Sequence, residues 1–403
     1  MPAPAEGETP PDDGSLPRAA RDSIGTVPFS VYVHVPYCAT RCGYCDFNTY
    51  TSAELGAAPG NSRETYLDAV VREVELAAAV LGPARPSVAT VFFGGGTPTL
   101  LTPAELGRLL ATVGEQLPLA PGAEITTEAN PESVDEASLA RLAEAGFTRI
   151  SFGMQSAVEP VLKRLDRAHT PGRVPQVVRW ARAAGFGSVS LDLIYGTPGE
   201  SLDDWRRSLV AALACEPDHV SAYALALEPG TRMAGQIRRG LLPGIDVDHQ
   251  AGEYELAESV LADAGLVNYE ISNWARPGEE CRHNLAYWRG HDWWGFGPGA
   301  HSHVRGVRWW NARHPATYAG RLADGLSPAV GREALTADQR RIERVLLEIR
   351  IADGLPVEVL SPTEAGRVPG LAERGLLVRT GDRVRLTAAG RLLADGIVRD
   401  LLD

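Results

Sequence analysis

Two hydrophobic periods take turns along this chain. Short apolar or β-branched runs trade off with stretches whose apolar residues recur every three or four positions, the signature of strands alternating with amphipathic helices. Phe29–Val35 is the first run that reads as a strand. Arg63–Leu81 then reads as a helix: Tyr66, Val70, Val74, Ala77 and Leu81 form one stripe, and Gly82-Pro83 stops it. Further strands are predicted at residues 90–93, 124–128, 148–153, 188–194 and 219–223, with helices in the gaps, including 175–184 and about 202–214. Two helix starts carry capping boxes: Thr102 with Glu105 behind Pro103, and Ser133 with Glu136.

Six βα units in series call for a parallel sheet with right-handed crossovers. A closed eight-unit barrel needs two more strands before residue 275, and the pattern does not supply them. The predicted fold class is therefore α/β, a partial (β/α)6 barrel of TIM type over residues 28–275, with a doubly wound open sheet as the competing architecture. Either way ligands gather at the carboxyl ends of the strands. Special residues stand at that end of one unit after another: cysteines after strand one, Gly94-Gly95-Gly96-Thr97-Pro98 after strand two, Glu128, Gln155 and Asp192 on the next three.

Past about residue 229 this rhythm fades. Residues 276–403 are predicted as a smaller α/β region. It starts with a stretch crowded with His283, His291, His301, His303, Trp288, Trp293, Trp294, Trp309 and Trp310. From about residue 335 it reads helix, helix, an apolar run at 371–377, a hairpin around Gly381-Asp382 and a last helix from Ala388, a winged-helix-like order. Asp395, Asp400 and Asp403 on that last helix argue against a nucleic-acid face.

Composition narrows the class. The chain has 403 residues and a net charge of −12, which disfavours nucleic acid or an anionic membrane as partner. No apolar run approaches a membrane span. Residues 1–27, rich in Pro, Ala, Gly and acids, read as a disordered leader without an export signal. That and only five cysteines point to the cytoplasm. Lys163 is the sole lysine, so Schiff-base chemistry has little scope.

The chemistry concentrates in Val35-Pro-Tyr-Cys38-Ala-Thr-Arg-Cys42-Gly-Tyr-Cys45-Asp-Phe47. Three thiolates at C-x3-C-x2-C spacing can hold three irons of a [4Fe–4S] cube and leave the fourth open for a ligand; electron-transfer clusters use four. A zinc site completed by His34, or a disulfide plus one free thiol, satisfies the same spacing. Cys215, near a predicted helix end, reads as a structural thiol, and Cys281 lies far from the trio in sequence.

The cysteine loop, the Gly94–Pro98 run, Asp192-Leu-Ile-Tyr-Gly-Thr-Pro198 and His283-Asn-Leu-Ala-Tyr-Trp288, in this order, resemble the HemN/HemW group of radical S-adenosylmethionine (SAM) proteins, from about Val31 to the C-terminus. The resemblance implies a [4Fe–4S] cluster on Cys38, Cys42 and Cys45 whose open iron chelates SAM and whose electron cleaves it to a 5′-deoxyadenosyl radical. It also implies SAM contacts from Tyr32, Tyr44, Gly95, Gly96, Thr97, Glu128, Gln155, Arg167 and Asp192. For the glycines, the physical reason is close approach of backbone to ligand; for Arg167 it is carboxylate pairing. His283 would contact haem, with His301 and His303 as further candidates, one of them facing the SAM pocket.

Within the group, the anaerobic coproporphyrinogen dehydrogenases carry one more cysteine, where this chain has Phe47, and a longer ordered N-terminal segment. Cys45-Asp-Phe47-Asn resembles the haem-chaperone branch instead. The implied function is to bind haem beside the cluster and SAM, and to deliver it to apo-haemoproteins, with an electron donor for the cluster and a homodimer as possible assemblies. The alternative is a radical SAM enzyme of the oxygen-independent coproporphyrinogen III dehydrogenase type, performing oxidative decarboxylation or methyl transfer on a tetrapyrrole.

Overall fold

Phe29–Val35 forms β1 as its apolar run predicts, with every residue but Tyr32 buried. The structure, a computed structural model, describes residues 7–56, 60–83, 85–167, 170 and 172–402. Next come β2 (Val88–Gly95), β3 (Leu119–Ala129), β4 (Arg149–Gln155), β5 (Ser188–Tyr195) and β6 (His219–Ala224). They pair in chain order, each parallel to the last. The six predicted strands are thus all present, and their order is that of an incomplete barrel.

Alternation along these strands decides where the site lies. Val91 and Phe93, Ile150 and Phe152, Val189 and Leu191, and Val220 and Ala222 are buried in the main core. Each such side chain contributes about 1.5–3 kcal/mol when fully buried. The residues between them are mostly polar and line a single cavity: Thr126 and Glu128, Arg149 and Ser151, Ser190 and Asp192, His219 and Ser221. A parallel sheet covered on both faces by helices would show near-continuous apolar runs. Polar alternation means that this sheet wraps around a polar interior.

The helices follow their predicted stripes. Tyr66, Val70, Val74, Ala77 and Leu81 are all buried on Arg63–Leu81. Thr102 and Glu105 form the predicted box. The box predicted at Ser133 and Glu136 does not form. Pro131–Ser133 is a short 3₁₀ turn, and Asp135 caps the helix Glu136–Glu144 with Ser138 as its reciprocal partner. A carboxylate one residue before the helix captured the Ser138 N–H at 2.7 Å.

Two expectations about organisation are corrected. Residues 7–27 are not a disordered leader. Glu8 exchanges two backbone hydrogen bonds with Arg332, and Leu16 and Ala20 bury in the main core. The Pro-rich composition hid the function of this segment, which is to cover an exposed sheet edge; the rest of the expected leader, residues 1–6, lies outside the described residues. Second, the chain does not divide at residue 275. After β7 (Val267–Glu270) and β8 (Asn273–Ala275) extend the β6 edge antiparallel, β9 (Asp292–Phe296) pairs parallel to β1 at the opposite edge. It is continued by β10 (His301–Val304), β11 (Val307–Asn311) and β12 (Ala329–Ala334) in one twelve-stranded sheet. The His- and Trp-rich stretch is therefore part of the main sheet.

The last part has a core of its own. It joins Val345, Ile349, Leu355, Val384, Leu386, Ile397 and Leu401. Its three-stranded sheet comprises β13 (Leu355–Pro356), β14 (Leu377–Thr380) and β15 (Arg383–Leu386), with helices Ala337–Glu348, Pro362–Glu373 and Ala394–Leu402. This is the winged-helix-like order expected, except that residues 371–373 continue a helix. Among the described residues no helix is long and apolar enough to cross a membrane.

Candidate functional site

The segment after β1 folds back over the barrel mouth. Cys38 N–H donates to Tyr50 O at 3.0 Å, and Cys45 N–H to Cys42 O at 3.2 Å. Cys38, Cys42 and Cys45 are free thiols, partly exposed, and all three line the same cavity of about 570 Å³. Burial raises the Cys38 and Cys45 thiols above their ordinary range, and the neighbouring thiols add to it. Arg167 stands beside the trio: its Nη1 lies 3.8 Å from Cys42 Sγ, its Nη2 donates to Gly153 O at 3.2 Å, and its Nε is buried without a hydrogen-bond partner.

His34 is not a fourth ligand. Its Nδ1 meets Tyr32 Oη at 3.0 Å and its Nε2 meets Asn48 O at 2.9 Å. Among the described residues no three His, Cys, Asp or Glu side chains converge as a single metal ion requires. A cube makes no such demand, because each thiolate binds a different iron.

The glycine run is packed tightly against its neighbours. A Cβ on Gly95 would meet the His34 ring at 2.6 Å, and one on Gly96 would strike Tyr37 O and come within 3.1 Å of Cys38 Sγ. The N–H groups of Gly96 and Thr97 donate to Val35 O and Tyr37 O at 2.8 and 2.7 Å. The missing side chains thus make room for the cysteine loop, which is seated on the β2 turn. Both glycines and Thr97 still line the cavity.

Deeper in, two carboxylates face each other's field. Glu128 accepts Gly95 N–H at 3.1 Å; burial, then the nearby Asp192, push its carboxyl up to about 8. Asp192 accepts from Ser151 Oγ at 2.9 and 2.8 Å and is also raised by burial. Gln155 lines the same wall with φ of 63°, a left-handed backbone at the point where the β4–β5 register slips. Tyr44 lines the cavity and packs on an apolar cluster that includes Val161, Leu165 and Ile194. Tyr32 does not line it; the ring stacks near Phe92 and supports His34 from behind.

Residues 32–211 match the radical SAM superfamily. The heme chaperone HemW of Mycobacterium tuberculosis (strain CDC 1551 / Oshkosh) is 53% identical over 375 residues, 93% of this chain and 95% of that protein. The chain belongs to the HemW family of radical SAM proteins. The heme chaperone HemW of Escherichia coli K12 is 34% identical, covering 92% of this chain and 97% of its own. Coproporphyrinogen III oxidase (HemN) from Escherichia coli, a radical SAM enzyme, shares the fold with a TM-score of 0.81 at 23% identity, over 97% of this chain and 94% of its own.

The histidines expected to contact haem sit among protein partners. His283 is 2% exposed, its Nδ1 meets Thr90 Oγ1 at 2.7 Å, and its Nε2 meets Tyr287 Oη at 2.9 Å. It stacks on Phe92, and burial lowers its imidazole to about 3. Both ring nitrogens are engaged within the protein. His303 is similarly engaged, with His291 O and Gly306 N–H, and neither it nor the exposed His301 lines the cavity. Trp294 and Trp309 belong to the main core.

Sequence reading missed Thr126, Arg149, Ser151, Ser190, His219, Ser221 and Tyr223, which all line the cavity. A signal was present: polar residues at period two along β4, β5 and β6, where a two-sided parallel sheet predicts apolar ones. It also left Cys281 remote from the trio, whereas its thiol lines the same cavity; Cys215 is half-buried, donating to Ala211 O at 3.5 Å.

Proposed function

We propose that Cys38, Cys42 and Cys45 hold a [4Fe–4S] cluster, that SAM occupies the adjoining cavity, and that the protein is a haem chaperone handing haem to apo-haemoproteins. The observation that carries the cofactor reading is the convergence of three unpaired thiols on one cavity whose walls hold both signs of charge. Glu128 and Asp192 are raised by burial and favour a cationic ligand, as the sulfonium and ammonium of SAM are. Arg167, with its unpartnered Nε, suits the carboxylate. Once bound, the cluster and SAM supply one-electron chemistry that no side chain offers. The chain's own residues position, shield and balance charge: Tyr44 closes the apolar flank, and Gly95 and Gly96 seat the loop.

The haem reading rests on family membership and on Phe47, which is 59% exposed and stands where the dehydrogenases carry a further cysteine. With His283 enclosed, cargo would bind through other groups. Anaerobic reconstitution followed by haem titration tests both parts. About four irons per chain and stoichiometric haem binding, with no product from coproporphyrinogen III, are expected. Turnover of coproporphyrinogen III, with 5′-deoxyadenosine tracking product, would replace the chaperone reading by the dehydrogenase one.

A further inference from the structure

The inner part of the cavity carries polar atoms that the cysteine end does not explain. Arg149 opens β4, at the end of the strand opposite the cysteine loop. It is 3% exposed. Its Nη1 donates to Ser188 Oγ at 2.8 Å and to Glu279 O at 3.0 Å, while its Nη2 is buried without a partner. Among the described residues no carboxylate forms an ion pair with it, and two acids of the neighbouring strands are held by others. Asp192 is bound by Ser151, and Glu124 caps the helix Arg282–Trp288 by accepting from the N–H groups of Arg282 and His283 at 3.1 and 3.0 Å.

A buried guanidinium without a counter-charge is costly. Buried polar groups left unpaired in a native fold are few and ask for an explanation. Two more such atoms line the same region. Thr126 is 1% exposed and its Oγ1 has no partner. Asn273 is 2% exposed; its Nδ2 donates to Glu270 Oε1, which turns an unpartnered Oδ1 the other way. Three strands, β3, β4 and β8, thus leave one cationic donor, one hydroxyl and one amide acceptor unsatisfied around a common space.

We infer that this inner region is a second binding subsite, for a small carboxylate that also carries a hydroxyl or amino donor. The carboxylate pairs with Arg149 Nη2 and Thr126 Oγ1, and the donor meets Asn273 Oδ1. A halide satisfies the cation but not the amide acceptor, and a plain carboxylate leaves that acceptor empty. The subsite does not depend on the reading of the cysteine end, since none of its three atoms belongs to the loop or to the residues assigned to SAM.

Glycolate is the probe, with acetate and chloride at matched ionic strength, read by calorimetric titration and by melting temperature of the full chain. Glycolate is expected to bind and raise the melting temperature, acetate to bind more weakly, and chloride to do neither. Arg149→Gln should abolish the response and Arg149→Lys should restore part of it. Should Arg149→Gln fail to fold, Thr126→Val keeps the charge and should weaken glycolate about ten- to a hundredfold, the loss of one hydrogen bond to a charged carboxylate. The response should persist with SAM present. No glycolate response in the wild type, an equal response to chloride, an unchanged response in Arg149→Gln or, where that variant does not fold, in Thr126→Val, or full competition by SAM would each overturn the subsite.

Discussion

The cysteine loop with its cavity and the stretch from Arg282 to Trp310 are the two regions richest in chemistry-bearing side chains, and the fold treats them differently. In the second, folding engages the imidazole rings and most of the polar groups, though Asp292 Oδ2, Trp294 Nε1 and Arg305 Nε stay buried without a hydrogen-bond partner. His283 uses both ring nitrogens, Trp293 Nε1 donates to His301 O at 3.0 Å, and Asp292 accepts Arg305 N–H at 2.8 Å. In the first, folding leaves groups over: three free thiols, Arg167 Nε, Thr126 Oγ1 and Arg149 Nη2. Both regions leave buried polar atoms over; the difference is that those of the first belong to residues lining one cavity. Buried polar groups normally find partners within the protein, so several left over along one cavity mark where a ligand belongs.

The sharpest way to break this contrast is to remove one thiol. Cys42→Ala takes away a partly exposed loop side chain that contributes little to the core. Iron after anaerobic reconstitution is expected to fall from about four per chain to near zero, while far-UV circular dichroism and the thermal midpoint stay close to wild type. A brown, iron-loaded variant would show that the loop is not the cluster site. On the other side of the comparison, His283→Ala should act on the fold. It removes two buried hydrogen bonds and a ring stacked at 5.1 Å on Phe92. A cost of about 2–4 kcal/mol in urea unfolding is expected, with haem affinity of the folded fraction unchanged. Lost haem affinity at unchanged stability would return His283 to a ligand role.

The same contrast explains what could be read from the sequence. β1 and the helix Arg63–Leu81 match their expected bounds, because each is fixed by a dense local apolar pattern. The cysteine trio was legible because its spacing is local too. The return of β9 to β1 was not, since a parallel pairing between residues 29 and 292 leaves no local mark. The packing of Leu16 and Ala20 was hidden by a composition that resembles a disordered tail. His283 is ambiguous for a related reason. A histidine beside tryptophans suits a porphyrin and a buried core equally, and only the partners of its two nitrogens distinguish them. Arg149 was overlooked because one arginine at a strand start looks like surface; its burial depends on the loop around Glu279, 130 residues away.

A subtler test uses acidity. Glu128 is raised from an ordinary 4.5 to about 8, by burial first and by Asp192 second. A carboxyl raised in the folded state favours folding when neutral. Its contribution is fully present below about 4.5 and is lost as pH climbs through about 8. The cofactor-free protein should therefore lose stability across that window, on the order of 1–2 kcal/mol given the solvated cavity it faces. Glu128→Gln should flatten the slope, seen as melting temperature against pH. An unaltered slope would mean that Glu128 is not the group that titrates. A bound cation should flatten it in the wild type as well, by drawing the carboxyl down.

The smallest effect is expected inside the cysteine loop itself. Phe47 lies two residues past Cys45, yet its ring is 59% exposed and stands at the cavity rim. An exposed side chain away from caps and networks changes stability by no more than about 0.5 kcal/mol. Phe47→Ala should therefore leave both the thermal midpoint and the iron content where they were. That near-absence of effect is informative beside Cys42→Ala, because it separates being on the loop from facing inward off it. A clear drop in iron content would mean that the ring shields the cluster, and the boundary of the ligand site would then have to be drawn further out.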